Sequence, residues 1–354
     1  MGRGAVTRFL LVFAALVAAL PLPVPAQAQV IIAHRGASGD RPEHTLAAYE
    51  LAIEQGADYI EPDLVPTKDG VLVARHENEI SDTTDVADHP EFADRRTTKT
   101  IDGVEVTGWF TEDFTLAELK TLRAKERLPA IRPANTEYDG QFEIPTLAEI
   151  IALARAKEAA TGRLVGLYPE IKHGSYFDAL GLAPVDALLA TLKGAGYTAD
   201  DPVYIQSFEP TALTQVMFRG REMGIDYRRV QLLSAEGGPA DAPQLSYAQF
   251  LSDPGLAQIA RYASAIGVEA TLLVAADGTT TDLAARAKAA GLDVHAWTAR
   301  AENAFLPAPL QSGDDPAANG NFATLWALLG RAGADAIFTD NVAEAIAARA
   351  ALRN

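Results

Sequence analysis

The chain has 354 residues, 48% of them hydrophobic, and contains no cysteine. It is long enough to bury a large core, as one big α/β domain or two smaller ones, and it cannot use disulfides, thiolate nucleophiles or cysteine metal sites. A formal charge of −17 argues against nucleic acid as a partner, so an anionic ligand would need positive charge supplied locally by arginine, lysine or a bound cation.

At the N-terminus, Arg3 and Arg8 are followed by the apolar run Phe9 to Leu20, then prolines and the small-x-small sequence Ala26-Gln27-Ala28. This reads as a secretory signal peptide over residues 1–28, with one mature domain over 29–354, and the run is short for a membrane span. The expected location is therefore periplasmic or secreted. Without the leader's two arginines the chain is more acidic still.

The first strand is expected over residues 30–37, in "VIIAHRGASGD", followed by a helix in "EHTLAAYELAIEQGAD". A second strand, 59–66, is separated from "VLVARHE" by only "TKDG". So short a connection can only be a hairpin, and it carries His76 to a position opposite Glu61 and Asp63. Residues 78 to about 140 are polar and weakly periodic, and read as an insertion on the rim of the fold. The helical pattern "TLAEIIALARAKEAATG" leads to a strand at 164–172, and further strands are expected at 203–208, 230–234, 266–268, 294–299 and 335–339. The run "AIGVEATLLV" around 266–268 accommodates several placements. "DLAARAKAAGLD" supplies a crossover helix, and "LPAPLQSGDDPAANGN" an irregular loop. Eight strands alternating with helices predict a (β/α)8 TIM barrel, with a doubly wound open sheet as the alternative.

Active sites of such barrels lie at the C-terminal ends of the strands, so polar residues there are the candidates. The first strand ends in His34 and Arg35, the second carries Glu61 and Asp63, the third Glu170 and Lys172, and the fourth Gln206. The last but one carries His295 and Trp297. Spacing of i, i+2 puts both members of a pair on the barrel interior. Glu61, Asp63 and Glu170 form a hard oxygen-donor set suited to Ca2+ or Mg2+, although each acid could instead pair with Arg35 or Lys172. His34 and His76 are the acid–base candidates, and Arg35 and Lys172 could neutralise a phosphodiester. Trp297 reads either as an apolar wall for a substrate alcohol or as core. His295 reads as lining the mouth or packing. "RHENEI" lacks the second histidine of a zinc-protease motif.

The segments "AHRGASGDRPEHT", "YIEPDLVPTKDGVLVARHE", "GLYPEIK", "YIQSFE", "VHAWT" and "DAIFTD" together resemble the glycerophosphodiester phosphodiesterase family over nearly the whole mature chain, most closely its periplasmic calcium-using branch. The resemblance implies a TIM barrel in which His34 and His76 are general acid and base. It places a Ca2+ ion, or alternatively Mg2+, on Glu61, Asp63 and Glu170, and phosphate on Arg35 and Lys172. Gln206 and Trp297 would join substrate binding, and Glu43 would support the site from a turn that has His44 in place of the family's usual asparagine. Glu77 stands where the family commonly has aspartate. The implied reaction is hydrolysis of a water-soluble glycerophosphodiester to glycerol 3-phosphate and an alcohol. The alternatives are a lysophospholipid or other lipid-linked diester, with the insertion touching lipid, and a non-catalytic exported binding protein.

Overall fold

The computed structural model describes Met1 and residues 29–353. Apart from Met1, the expected signal peptide lies outside the described residues.

Eight parallel strands form the centre: β1 (Val30–His34), β2 in two parts (Tyr59–Glu61 and Asp63–Pro66), β3 in two parts (Gly166–Leu167 and Glu170–Ile171), β4 (Tyr204–Ser207), β5 (Arg228–Leu233), β6 (Ala265–Glu269), β7 (Asp293–Ala299) and β8 (Ala336–Thr339). Each pairs with the next, and β8 returns to β1 through Val30↔Ala336 and Ala33↔Thr339, so the sheet closes into a TIM-type barrel. The expected strands at 59–66 and 164–172 are each interrupted, at Pro62 and at Tyr168-Pro169. Proline has no N–H to give the ladder. The two broken strands still match one another: Tyr168 N–H donates to Ile60 O and Glu170 N–H to Pro62 O, each at 2.9 Å.

Side chains alternate as a barrel requires. Ile32, Tyr168, Val230 and Phe338 fill the interior, while Ile31, Ile60, Val294 and Ile337 belong to the larger cluster shared with the outer helices. The first helix, Leu46–Gln55, is capped by Thr45, whose side chain accepts from Ala48 N–H, and closes at left-handed Gly56. The helix Leu147–Thr161 opens on a reciprocal Thr146/Glu149 capping box. Among the described residues, no helix is long and apolar enough to cross a membrane.

The strand Leu72–Ala74 folds back on Asp63–Pro66 with Leu64 opposite Ala74. Arg75 N–H then donates to Asp63 O at 3.1 Å, which carries His76 across from Pro62, between Glu61 and Asp63. Residues 78–140 contain a hairpin of Thr97–Ile101 and Val104–Gly108 and several short 3-10 turns. Their apolar side chains, among them Ile80, Phe92, Trp109 and Phe114, gather with Val65 and Val73 into a small core of their own. A core built from single residues scattered over irregular turns leaves little periodicity to read. The irregular stretch after residue 306 is tied down by Asn303, whose amide donates to the carbonyls of Ser312 and Asp315 and whose Oδ1 accepts from Ser312 N–H.

Candidate active site

The carboxylates of Glu61, Asp63 and Glu170 meet at the barrel mouth, each offering an oxygen within 4.8 Å of the others, and all three are buried. Burial and mutual repulsion push Glu61 well above the usual carboxylate range and Glu170 up to about 8. Asp63 is held well below it, against burial, by Arg35 and by the bond from His44. A buried nest with this much unrelieved negative charge fits a hard divalent cation, which removes the repulsion that otherwise forces protons onto the site. Lys172 neutralises part of it, with Nζ 3.2 Å from Glu170. Gln206 donates to Glu61 Oε1 at 2.8 Å, and its own Oε1 is buried without a partner.

His34 ends β1 with its Nδ1 2.6 Å from Asp340 Oδ1. Asp340 follows β8 and also accepts from Arg132 at 2.6 Å and Arg300 at 2.7 Å. An aspartate held between two guanidiniums stays ionised, so His34 keeps its proton on Nδ1 and its Nε2 is the nitrogen left for chemistry. Burial, then Arg35, lower the His34 pKa to about 4 despite Asp340. His76 has a looser counterpart: its Nδ1 lies 3.0 Å from the half-exposed carboxylate of Glu77, and its side chain is one-third exposed on the cavity. Burial and the cations Arg35 and Lys172 hold its pKa well below the ordinary histidine value.

Arg35 turns away from the strand in the left-handed region, with φ 61°, and Gly36 follows at 86°. That turn aims the Arg35 backbone N–H at Glu61 Oε2 (3.0 Å) and its guanidinium at Glu43 (3.0 Å) and Asp63 (3.2 Å). Glu43 also accepts from Arg127 at 2.9 Å, and its carboxyl lies far below the usual range, both guanidiniums outweighing burial. His44, also left-handed at φ 56°, donates Nε2–H to Asp63 at 3.0 Å and accepts from the Tyr49 hydroxyl at 2.7 Å. Histidine shares asparagine's tolerance of this backbone conformation and, with its longer side chain, reaches a candidate metal ligand.

A cavity of about 360 Å³ joins His34, His76, Glu61, Glu170, Lys172 and Trp297. Arg35 and Gln206 line it too. Trp297 stands edge-on to Phe208, only partly buried, with Nε1 lacking a hydrogen-bond partner. His295 is not at the mouth. It lies lower in the barrel, its Nδ1 bonded to the Tyr168 hydroxyl, among Tyr59, Tyr204 and Asp335. Sequence reasoning missed Asp340, Arg300, Arg132, Arg127 and the role of His44. The first two follow the ends of β8 and β7, so the strand-end rule that found the other residues reaches them. The arginines at 127 and 132 come from the insertion, where no periodicity places a side chain.

A parallel barrel whose mouth combines a buried carboxylate nest, two histidines each beside a carboxylate and flanking cations defines a metal-dependent phosphodiester hydrolase. Residues 34–344 match the glycerophosphoryl diester phosphodiesterase family, and the chain belongs to it. It is 39% identical over 326 residues to a glycerophosphodiester phosphodiesterase of Arabidopsis thaliana, covering 87% of this chain and 82% of the relative. It is 30% identical over 338 residues to one from Haemophilus influenzae, covering 88% and 87%. The structure of an Oleispira antarctica phosphodiesterase in complex with its product sn-glycerol-3-phosphate shares the fold, with a TM-score of 0.58 at 23% identity over 90% of this chain and 95% of that one.

Proposed function

We propose that this chain is an exported, calcium-dependent enzyme that cleaves deacylated phospholipid head groups, such as glycerophosphocholine or glycerophosphoethanolamine, to glycerol 3-phosphate and the free alcohol. The observation that carries the reading is one cavity in which two histidines face a buried nest of three carboxylates. A cation on Glu61, Asp63 and Glu170 would supply charge stabilisation to the phosphoryl oxygens, and three hard oxygen donors suit Ca2+, with Mg2+ as the alternative. Arg35 and Lys172 hold positive charge at the same wall, and Trp297 offers an apolar face to the alcohol.

One histidine takes the proton from the glycerol 2-hydroxyl, whose oxygen attacks phosphorus and closes a cyclic phosphate; the other gives a proton to the departing alcohol oxygen. Water then opens the cyclic phosphate to glycerol 3-phosphate. Both imidazoles start neutral because burial and neighbouring cations depress their pKa values. The negative phosphodiester offsets those cations, so substrate binding itself favours protonation of the one that must act as acid. Export rests on the leader pattern of residues 1–28 and is checked by sequencing the N-terminus of the mature protein.

The test is release of glycerol 3-phosphate across a panel of soluble glycerophosphodiesters and micellar lysophospholipids. Chelation is expected to abolish release and added Ca2+ to restore it. His34→Ala and His76→Ala should each lower kcat by about 10²–10⁴-fold. A fully active, folded histidine variant overturns the mechanism, and preference for micellar substrate overturns the head-group assignment.

A further inference from the structure

Glu77 contacts more than His76. Its second carboxylate oxygen lies 2.9 Å from His173 Nε2, and the other ring nitrogen of His173 lies 2.7 Å from Asp102 Oδ2. Asp102 belongs to the inserted hairpin. It occupies the tight turn between Thr97–Ile101 and Val104–Gly108, where Asp102 (φ 51°) and Gly103 (φ 84°) both take the left-handed conformation that a two-residue hairpin turn demands. A continuous line of contacts therefore runs from the acid–base candidate to an exposed turn: His76, Glu77, His173, Asp102.

The geometry of His173 is specific. Each ring nitrogen faces a carboxylate oxygen, and ionised carboxylates only accept, so both nitrogens donate and the ring is an imidazolium. Burial opposes that charge, but the bonds to Asp102 and Glu77 prevail and hold the pKa at about 9. The other groups facing the ring are Lys172, which disfavours a second cation, and Phe177, 6.4 Å away between ring centroids. The backbone of His173 is itself left-handed, with φ 48° and ψ 41°, a conformation a non-glycine residue keeps only when its surroundings hold it. Glu77 needs such an anchor. Its side chain is 47% exposed, and Lys172, the cation that neutralises Glu170, also attracts it. Drawn toward Lys172, the carboxylate would leave His76 Nδ1 unsupported.

We propose that Glu77, His173 and Asp102 are positioning residues that hold His76 in its working orientation, so that the inserted hairpin governs proton transfer at the barrel mouth. The proposal rests on the reading of His76 as an acid–base group. It also gives the longer reach of Glu77 a purpose: one carboxylate spans two imidazoles, one on each oxygen.

The experiment measures kcat, KM and Tm for Glu77→Gln, His173→Asn, Asp102→Asn and the Glu77→Gln/His173→Asn double variant of the Ca2+-loaded full-length enzyme, with His76→Ala alongside. Asparagine tolerates the left-handed backbone at both 102 and 173; at 173 it is too short to bridge two carboxylates, and at 102 it removes the charge. Expected losses in kcat are about 10-fold for Glu77→Gln and about 3–10-fold for each of the other two single variants, with KM held within about twofold. The double variant should be no slower than Glu77→Gln, because residues acting as one unit are not additive. A purely structural role would lower Tm while leaving kcat of the folded enzyme intact. Wild-type kcat in His173→Asn and Asp102→Asn beside an inactive His76→Ala overturns the positioning chain alone. Losses that multiply in the double variant overturn it as well. A fully active His76→Ala overturns the underlying acid–base reading instead.

Discussion

Asp340 shows how much a single carboxylate controls. It fixes the His34 tautomer at 2.6 Å and gathers Arg132 and Arg300 on the far side of the cavity from Lys172. Replacing it with asparagine preserves shape but removes the charge that favours Nδ1–H, and it leaves Arg132 with Glu302 as its carboxylate partner while Arg300 loses its ion pair to Asp340. Asp340→Asn is expected to lower kcat by about 10²-fold or more with little change in KM. The pH dependence has a definite sign: Asp340 raises the His34 pKa, so its loss moves the limb of kcat/KM that His34 sets, acid or alkaline, to lower pH while the plateau falls. A limb that moves upward, or an unchanged kcat, would contradict this role. His34, Arg35, Glu61, Glu170, Lys172, Gln206 and Trp297 on the cavity wall were legible because strand ends and i, i+2 spacing place side chains without a structure. His295 shows the limit of that rule. It shares a face with Trp297, but being two residues earlier on β7 it sits deeper, where Tyr168 and Tyr204 pack around it.

The stretch from β1 through the His34–Gly36 turn to the helix Leu46–Gln55 carries four site residues, His34, Arg35, Glu43 and His44, and one tight constraint. A Cβ on Gly36 would lie 2.6 Å from the backbone carbon of Ala48 and 2.8 Å from its oxygen, at a φ of 86° that L-residues rarely adopt. The helix or the turn must give way, and the turn holds the Arg35 N–H that meets Glu61. Gly36→Ala is expected to destabilise the fold by about 2–4 kcal/mol and lower kcat more than 10-fold; calorimetry and turnover on one preparation check both, and an unperturbed Tm would contradict the contact. All eight expected barrel strands occur within a few residues of their sequence positions because buried parallel strands are short apolar runs between helical patterns. The interruptions of β2 and β3 were not anticipated, although "IEPD" and "YPEIK" contain the prolines that break them. What the sequence concealed was the insertion's inward reach. Arg127, Arg132 and Asp102 lie in polar stretches, and only the three-dimensional path of those loops brings them onto Glu43, Asp340 and His173.

At the scale of the molecule, an acidic chain concentrates negative charge where it must bind a phosphodiester anion. The arginines and Lys172 compensate locally, as the charge balance required, but they leave Glu61 and Glu170 repelling each other and Asp63 in a buried space. The cation is therefore a structural partner as well as a chemical one, and stability should report it. Ca2+ at about 100 times its Kd should add roughly 2.7 kcal/mol and raise Tm by about 5 °C. Without the ion, burial and the neighbouring carboxylates favour the neutral form of Glu61, and Gln at this position mimics that form. Glu61→Gln is accordingly expected to melt at or slightly above the temperature of the ion-free parent and to gain little from added Ca2+, while activity is lost. Thermal melts of both proteins with chelator and over a Ca2+ titration read the two effects apart. If Glu61→Gln melted well below the ion-free parent, Glu61 would be holding the barrel together rather than waiting for a cation, because a carboxylate kept for a ligand costs the empty site stability instead of supplying it.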